Sequence, residues 1–198
     1  MWKGGFLYSD LIYDNHIVPF AIGLSSGTSL NSSDTYKAFV QMSFYADWIA
    51  ETIREEGEEV SLDPLACAKR YLKLHPQINN TELFEPSNSV EFVASIYDSS
   101  NAVQSMKCVG ALIRKDVVVT LAQCASNLIV VFSDRSSISI RDIIIHPNYT
   151  DSSLYNNIAI LKLVSETSVA PVQIAPFYSK HDKVKLYATE NSVGDGLK

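Results

Sequence analysis

The sequence predicts a mainly β protein, a barrel or sandwich of short antiparallel strands, with one amphipathic helix at about residues 43–56. Three observations carry this. From Val90 onward, short apolar runs alternate with polar turns, the spacing of a closed or two-layered β fold. Val109 to Ile113 and Val117 to Leu121 flank Arg114-Lys115-Asp116, which reads as a hairpin. Between Ser43 and Gly57 the apolar residues instead recur at helical spacing.

Taken in order, residues 6–42 read as strands and turns. Ile17 to Leu24 is an apolar run, and Ser25-Ser26-Gly27 is expected to close it as a turn. Asn31 to Asp34 reads as a polar loop and Tyr36 to Val40 as the next strand. In the helix, Phe44, Trp48 and Thr52 fall on one row and Tyr45, Ile49 and Ile53 on the adjoining one, which makes a single apolar stripe. Ser43 is the expected N-cap, because its hydroxyl can accept from an orphan amide of the first turn. Gly57 is the expected stop. Residues 57–87 hold Pro64, Pro76 and Pro86 and a cluster of glutamates around Gly57. They read as a connector, with Ala66 to Leu74 able to form a short helix. Val90 to Ile96, Leu128 to Phe132, Ile138 to Ile145 and Ile158 to Leu163 complete the expected strands.

Composition narrows the function. The chain has 198 residues, 46% hydrophobic and 19% charged, which is enough to build a core and excludes global disorder. Lysine and arginine total 16 against 22 acidic residues, a net charge of −6, so the chain carries no footprint for a phosphate backbone. Neither a nucleic-acid partner nor a membrane partner is expected, and the apolar runs are too short to span a bilayer. No CxxC or Cys/His cluster is present, so neither metal nor cofactor is expected. Antiparallel pairing of the hairpin would bring Cys108 and Cys124 together, and a disulfide fits there. Cys67 is expected to find a cysteine outside this segment. The sequons at Asn31, Asn79 and Asn148 are expected glycosylation sites, and with the disulfide they favour a secreted, extracellular setting. The first residues lead into no secretory apolar stretch, so the expectation is a piece of a longer secreted protein, or a gene model with a wrong start.

Residues 108–124, Cys-Val-Gly-Ala-Leu-Ile-Arg-Lys-Asp-Val-Val-Val-Thr-Leu-Ala-Gln-Cys, resemble the first barrel of trypsin-like serine proteases. That family carries C-G-G-S-L-I…V-L-T-A-A-H-C there, with the two cysteines joined. Ile145 to Tyr149 followed by Asn156 to Leu163 is similar to the family's H-P-x-Y…N-D-I-A-L-L-K-L. The N-terminal block resembles the opposite end of the family. Gly4-Gly5-Phe6-Leu7 is similar to the G-G-P-L after the nucleophilic serine, Ile22 to Gly27 to G-I-V-S-W-G, and Phe44 to Ile49 to the closing Y-x-x-W-I helix. The resemblance implies an incomplete trypsin-like barrel with the tail placed before the head. Residues 1–56 would be the C-terminal part of one unit, 57–87 a linker, and 88–198 the N-terminal barrel of a second. A circular permutant is the alternative. The closing helix would dock on the barrel.

The resemblance also places the family's catalytic positions. Serine-protease chemistry needs a nucleophile, a base that takes its proton and an acid that orients the base. Gln123 stands in the place of the base, Asn157 in that of the orienting acid and, on the Gly4-Gly5 alignment, Lys3 in that of the nucleophile. A carboxamide cannot accept a proton near neutral pH, and an ammonium is no nucleophile. Loss of even one triad member leaves only about 10³–10⁴ of rate over water. No basic site followed by I-V-G-G precedes the barrel; Glu85 to Val90 fills that region. His16, His75, His146 and His181 stand in no ligand or triad spacing, and His146 is expected to be structural. The expectation is therefore a non-enzymatic serine-protease homologue that binds an extracellular protein partner, such as a protease, zymogen or substrate of a proteolytic cascade. The alternative is a fragment of a larger serine endopeptidase whose intact triad lies outside this segment.

Overall fold

The computed structural model describes residues 5–13, 16–31, 34–54, 63–74, 91–98, 106–126, 128–175 and 185–187. Six strands close a barrel: β4 (Val93–Asp98), β5 (Met106–Arg114), β6 (Val117–Thr120), β7 (Leu128–Val131), β8 (Ser137–Ile145) and β9 (Ala159–Leu163), in the order β4-β5-β6-β9-β8-β7. Every neighbouring pair in it is antiparallel. Val117-Val118-Val119-Thr120 and Ala159 to Leu163 are buried at every position, so both faces of these strands are covered and the sequence reads as unbroken apolar runs. β7 alternates between buried and half-buried, the pattern of a strand with one wet face.

The β5–β6 hairpin forms where expected. Arg114 donates to both carboxylate oxygens of Asp116 across the turn, at 2.5 and 2.8 Å. Gly110 is needed in β5: a Cβ there would sit 2.6 Å from the Val118 side chain and 2.8 Å from the Val119 carbonyl oxygen. Cys108 and Cys124 are joined across the arms, with Cα atoms 6.2 Å apart.

A second sheet holds β1 (Phe6–Tyr13), β2 (His16–Asn31), β3 (Asp34–Gln41), β10 (Gln173–Ile174) and β11 (Lys185–Tyr187). β2 pairs antiparallel with both β1 and β3. β10 adds to β2 in parallel, and β11 adds to β1 antiparallel, with Phe6 opposite Tyr187. Segments from the two ends of the chain thus share one sheet.

Three local expectations are corrected. Ser25-Ser26-Gly27 is not a turn, because β2 runs through it. The register with β3 steps from Ser25↔Phe39 to Gly27↔Ala38, leaving Ser26 as the extra residue of a bulge. Ser43 does not cap a helix. Met42–Tyr45 is a 3-10 turn that leads into α1 (Ala46–Arg54), and Ser43 Oγ instead accepts from Gln41 Nε2. Phe44 lies off the buried stripe and is 73% exposed, because the 3-10 turn rotates it away from the α-helical rows. Ile49, Thr52 and Ile53 are buried as expected. Gly57 lies outside the described residues.

The expected short helix is α2 (Pro64–Leu74). Asp63 caps it: Ala66 N–H donates to its Oδ1 at 2.8 Å, and Pro64 occupies the first helical position, where no amide is needed. Ala68 joins Val18, Phe20 and Ala175 in a small cluster on the β2–β10 side of the second sheet. The main core is continuous between the two halves. Phe6, Leu24, Met42, Ile49 and Ile53 belong to the same cluster as Ile96, Leu112, Leu121 and Ile160. Phe6 and Tyr8 each meet the Phe92 ring edge-on, at 5.5 and 5.8 Å. Burial of a side chain such as Ile49 contributes about 1.5–3 kcal/mol.

Candidate functional site

Gln123 and Asn157, which the resemblance aligns with the family's base and acid positions, come together with a third residue, Ser26 of the distant N-terminal strands. Gln123 lies in a 3-10 turn, Ala122–Cys124, held by the disulfide at Cys124. Its backbone N–H donates to Asn157 Oδ1 at 3.1 Å. Its side-chain Nε2 donates to the Ser26 carbonyl at 3.2 Å. Asn157, 1% exposed at the entrance to β9, donates from Nδ2 to Ser26 Oγ at 2.9 Å. The bulge that frees Ser26 from pairing with β3 is what lets its side chain reach the barrel.

The polarity of this trio is informative. Asn157 presents an acceptor to one neighbour and a donor to the other, and a carboxamide matches both. A carboxylate at the same place would offer acceptors only, and the Ser26 hydroxyl would have to turn and donate. Gln123 likewise acts as a donor from its side chain. None of the three carries a group that accepts a proton near neutral pH. The arrangement can therefore hold strand to barrel, and it contains no general base.

The other expected sites fall as follows. Lys3 and Asn79 lie outside the described residues. Asn31 ends β2, with its backbone opposite Asp34. Asn148 is exposed in a turn closed by Tyr149 N–H to the His146 carbonyl, 2.9 Å. Cys67 is buried in α2 and its sulfur accepts from Arg70 at 3.2 Å; burial raises its pKa. Among the described residues no group of acidic, histidine or cysteine side chains could hold a metal ion. Nor is any helix among them long and apolar enough to cross a membrane. His16 opens β2 opposite Tyr13, and His146 stands beside Tyr45 and Trp48; His75 and His181 lie outside the described residues.

Ser26 was missed by sequence reasoning. Its neighbours have turn composition, and only the register of β2 against β3 distinguishes a bulge from a chain reversal. The similarity of residues 22–27 to a family strand was the one available signal that the chain stays extended there.

The closed six-stranded antiparallel barrel, stapled by the Cys108–Cys124 disulfide, has the trypsin-like architecture. The trypsin family profile matches residues 82–196, more than half of the chain, and the chain belongs to that family. No curated protein sequence matches it. Among solved structures it is similar to neuropsin, a serine protease expressed in the limbic system of mouse brain. The identity is 22% and the TM-score 0.40, over 44% of this chain and 44% of that one. The match thus spans less than half the length of neuropsin.

Proposed function

We propose that the chain is a secreted, non-catalytic serine-protease homologue that acts by binding a protein partner in an extracellular proteolytic cascade. The observation that carries this reading is the bonding of Gln123. The residue in the base position gives its side-chain amide to the Ser26 carbonyl and its backbone N–H to Asn157, itself an amide in the acid position. Two carboxamides supply no proton acceptor, and the family fold still presents loops on a rigid barrel, the usual arrangement for recognition. The disulfide fits an oxidising compartment.

A broad fluorogenic peptide screen, run with a serine-directed covalent probe, tests the reading. The expected result is no turnover above buffer and no labelling. Turnover that disappears on Gln123→Ala would overturn it. Turnover found only in a longer chain that contains this segment would favour a fragment of an active endopeptidase.

A further inference from the structure

The second half of β8 has one vacant edge. β7 pairs with Ser137, Ile138 and Ser139, whereas β9 follows β8 as far as Ile145. Beyond Ser139, no strand among the described residues pairs with the edge that β7 leaves. One bond fixes the direction of the backbone groups there. His146 N–H donates to the Ile158 carbonyl, on the β9 side, at 3.1 Å. Backbone groups alternate from edge to edge along a strand, so those of Ile144 and Asp142 also point at β9. The N–H and C=O groups of Ile143 and Ile145 point the other way, at the vacant edge. The two faces differ as well. Asp142 stands opposite Lys162, whose Nζ approaches the Thr52 carbonyl of α1 at 3.5 Å, and the His146 ring lies 4.8 Å from that of Trp48. The face of Asp142, Ile144 and His146 is therefore the one beneath α1. The opposite face carries Ile143, 38% exposed, and Ile145, 42% exposed, where a half-wet strand ordinarily places polar side chains.

We propose that this edge pairs with the same edge of a second copy of the chain, antiparallel about a two-fold axis at Ile144. The segment Asp142-Ile143-Ile144-Ile145-His146 reads nearly the same in both directions, with a carboxylate at one end and an imidazole at the other. Run antiparallel to itself, it sets Ile143 opposite Ile145 of the partner copy, and Ile145 opposite Ile143. Their outward groups then exchange two backbone hydrogen bonds in each pair, which satisfies the vacant edge. The exposed isoleucine side chains of both copies meet on one face.

The ends of the segment argue for a second copy rather than for a strand of another sequence. The same register brings Asp142 opposite His146 of the partner copy, at both ends. These are non-hydrogen-bonded pairs, in which opposed side chains come closest. His146 Nδ1 accepts from the Asn148 backbone N–H at 3.2 Å, so the neutral ring carries its proton on Nε2, where it can donate. Asp142 Oδ2 accepts from Arg141 Nε at 2.9 Å, and its Oδ1 has no partner among the described residues. Pro147, which has no N–H, then ends the ladder. The same strand run backwards thus supplies the backbone bonds, the apolar contact and both Asp142–His146 pairs. Five residues a side is a fraction of the roughly 20–30 of a standard interface, so the expected dimer is weak and depends on concentration.

The test is analytical ultracentrifugation of the full chain at increasing concentration, up to about 0.5 mM, the range of a weak interface. The dimer fraction should rise with concentration. Ile143→Lys should abolish it and leave the far-UV circular dichroism unchanged. A second measurement reads the register and serves where the lysine variant fails to fold. Ile143→Cys and Ile145→Cys proteins are mixed under mild oxidation. Residues opposed in a hydrogen-bonded pair lie about 5.5 Å apart at Cα, within reach of a disulfide. The mixture should form a cross-linked dimer severalfold faster than either variant alone, and Cys67 is too buried to compete. A full chain that stays monomeric throughout would overturn the pairing and leave the edge to a strand from a different protein. A dimer that persists in Ile143→Lys, or cross-linking no faster in the mixture than in the separate variants, would overturn it as well.

Discussion

Tyr45 and Asn156, 111 positions apart in sequence, clasp each other with one hydroxyl. The phenol accepts from the Asn156 backbone N–H at 3.2 Å and donates toward its Oδ1 at 3.4 Å. Asn156 needs this support. Its backbone has φ 55, the left-handed region that asparagine tolerates better than most residues. Its side chain also donates to the Asn148 carbonyl, so the turn, the helix and the strand entrance are tied at one residue.

Tyr45→Phe should keep the ring contacts and lose the clasp. The expected cost is about 1–1.5 kcal/mol, since one half-buried N–H is left without its acceptor. Denaturant unfolding followed by near-UV circular dichroism would measure it, with an unchanged m value.

Asn157→Ala should cost more, about 2–3 kcal/mol, because it orphans both the Gln123 N–H and the buried Ser26 hydroxyl. Gln123→Ala, at a half-buried side chain, should cost less than about 1 kcal/mol. The same unfolding experiment ranks the two. The opposite order would mean that the trio is not organised around Asn157.

Replacing Cys108 and Cys124 together by serine opens a loop with a sequence separation of 16. Loop entropy puts the loss at about 3 kcal/mol. In the unsubstituted protein, thiol titration in denaturant without reductant should find one reactive group, from Cys67, and almost none in the native state, where that residue is 1% exposed.

Tyr71 should be a late-titrating phenol. Burial first, and then the negative charges of Glu91 and Asp10, push its pKa from 10.0 to about 12. The folded state binds this proton more tightly than the unfolded one. The stability it contributes is therefore complete below pH 10 and lost as pH rises toward 12. Spectrophotometric titration of the wild type and Tyr71→Phe should differ by one phenol with that midpoint.

Asn148 is the sequon whose asparagine is seen exposed in a turn. Expression through a eukaryotic secretory pathway should give a mass above 21.9 kDa, and Asn148→Gln should remove one glycan increment. A secreted product without modification at Asn148 would remove that site from the proposed glycoprotein.

The barrel was legible because its strands are locally self-declaring. Val117 to Thr120 and Ala159 to Leu163 are apolar on both faces, and the hairpin turn between β5 and β6 carries its own polar signal. The helical stripe at Ile49 and Ile53 was legible for the same reason. What was not legible depends on partners distant in sequence. Ser-Ser-Gly has the composition of a turn, and only pairing with Phe39 and Ala38 keeps it extended. Gln173-Ile174 and Lys185 to Tyr187 are too short to announce themselves, and become strands only against β2 and β1. The carboxamides at Gln123 and Asn157 were identified by resemblance, whereas their common contact, Ser26, required coordinates.

The pairing of Phe6 with Tyr187 has a consequence for biosynthesis. Phe6 must wait for Tyr187, far later in the chain, before this edge of β1 is covered. At about 5–20 residues per second that interval is on the order of ten seconds or more. Throughout that interval β1 presents an unpaired edge, the kind of surface on which a second chain can add a strand.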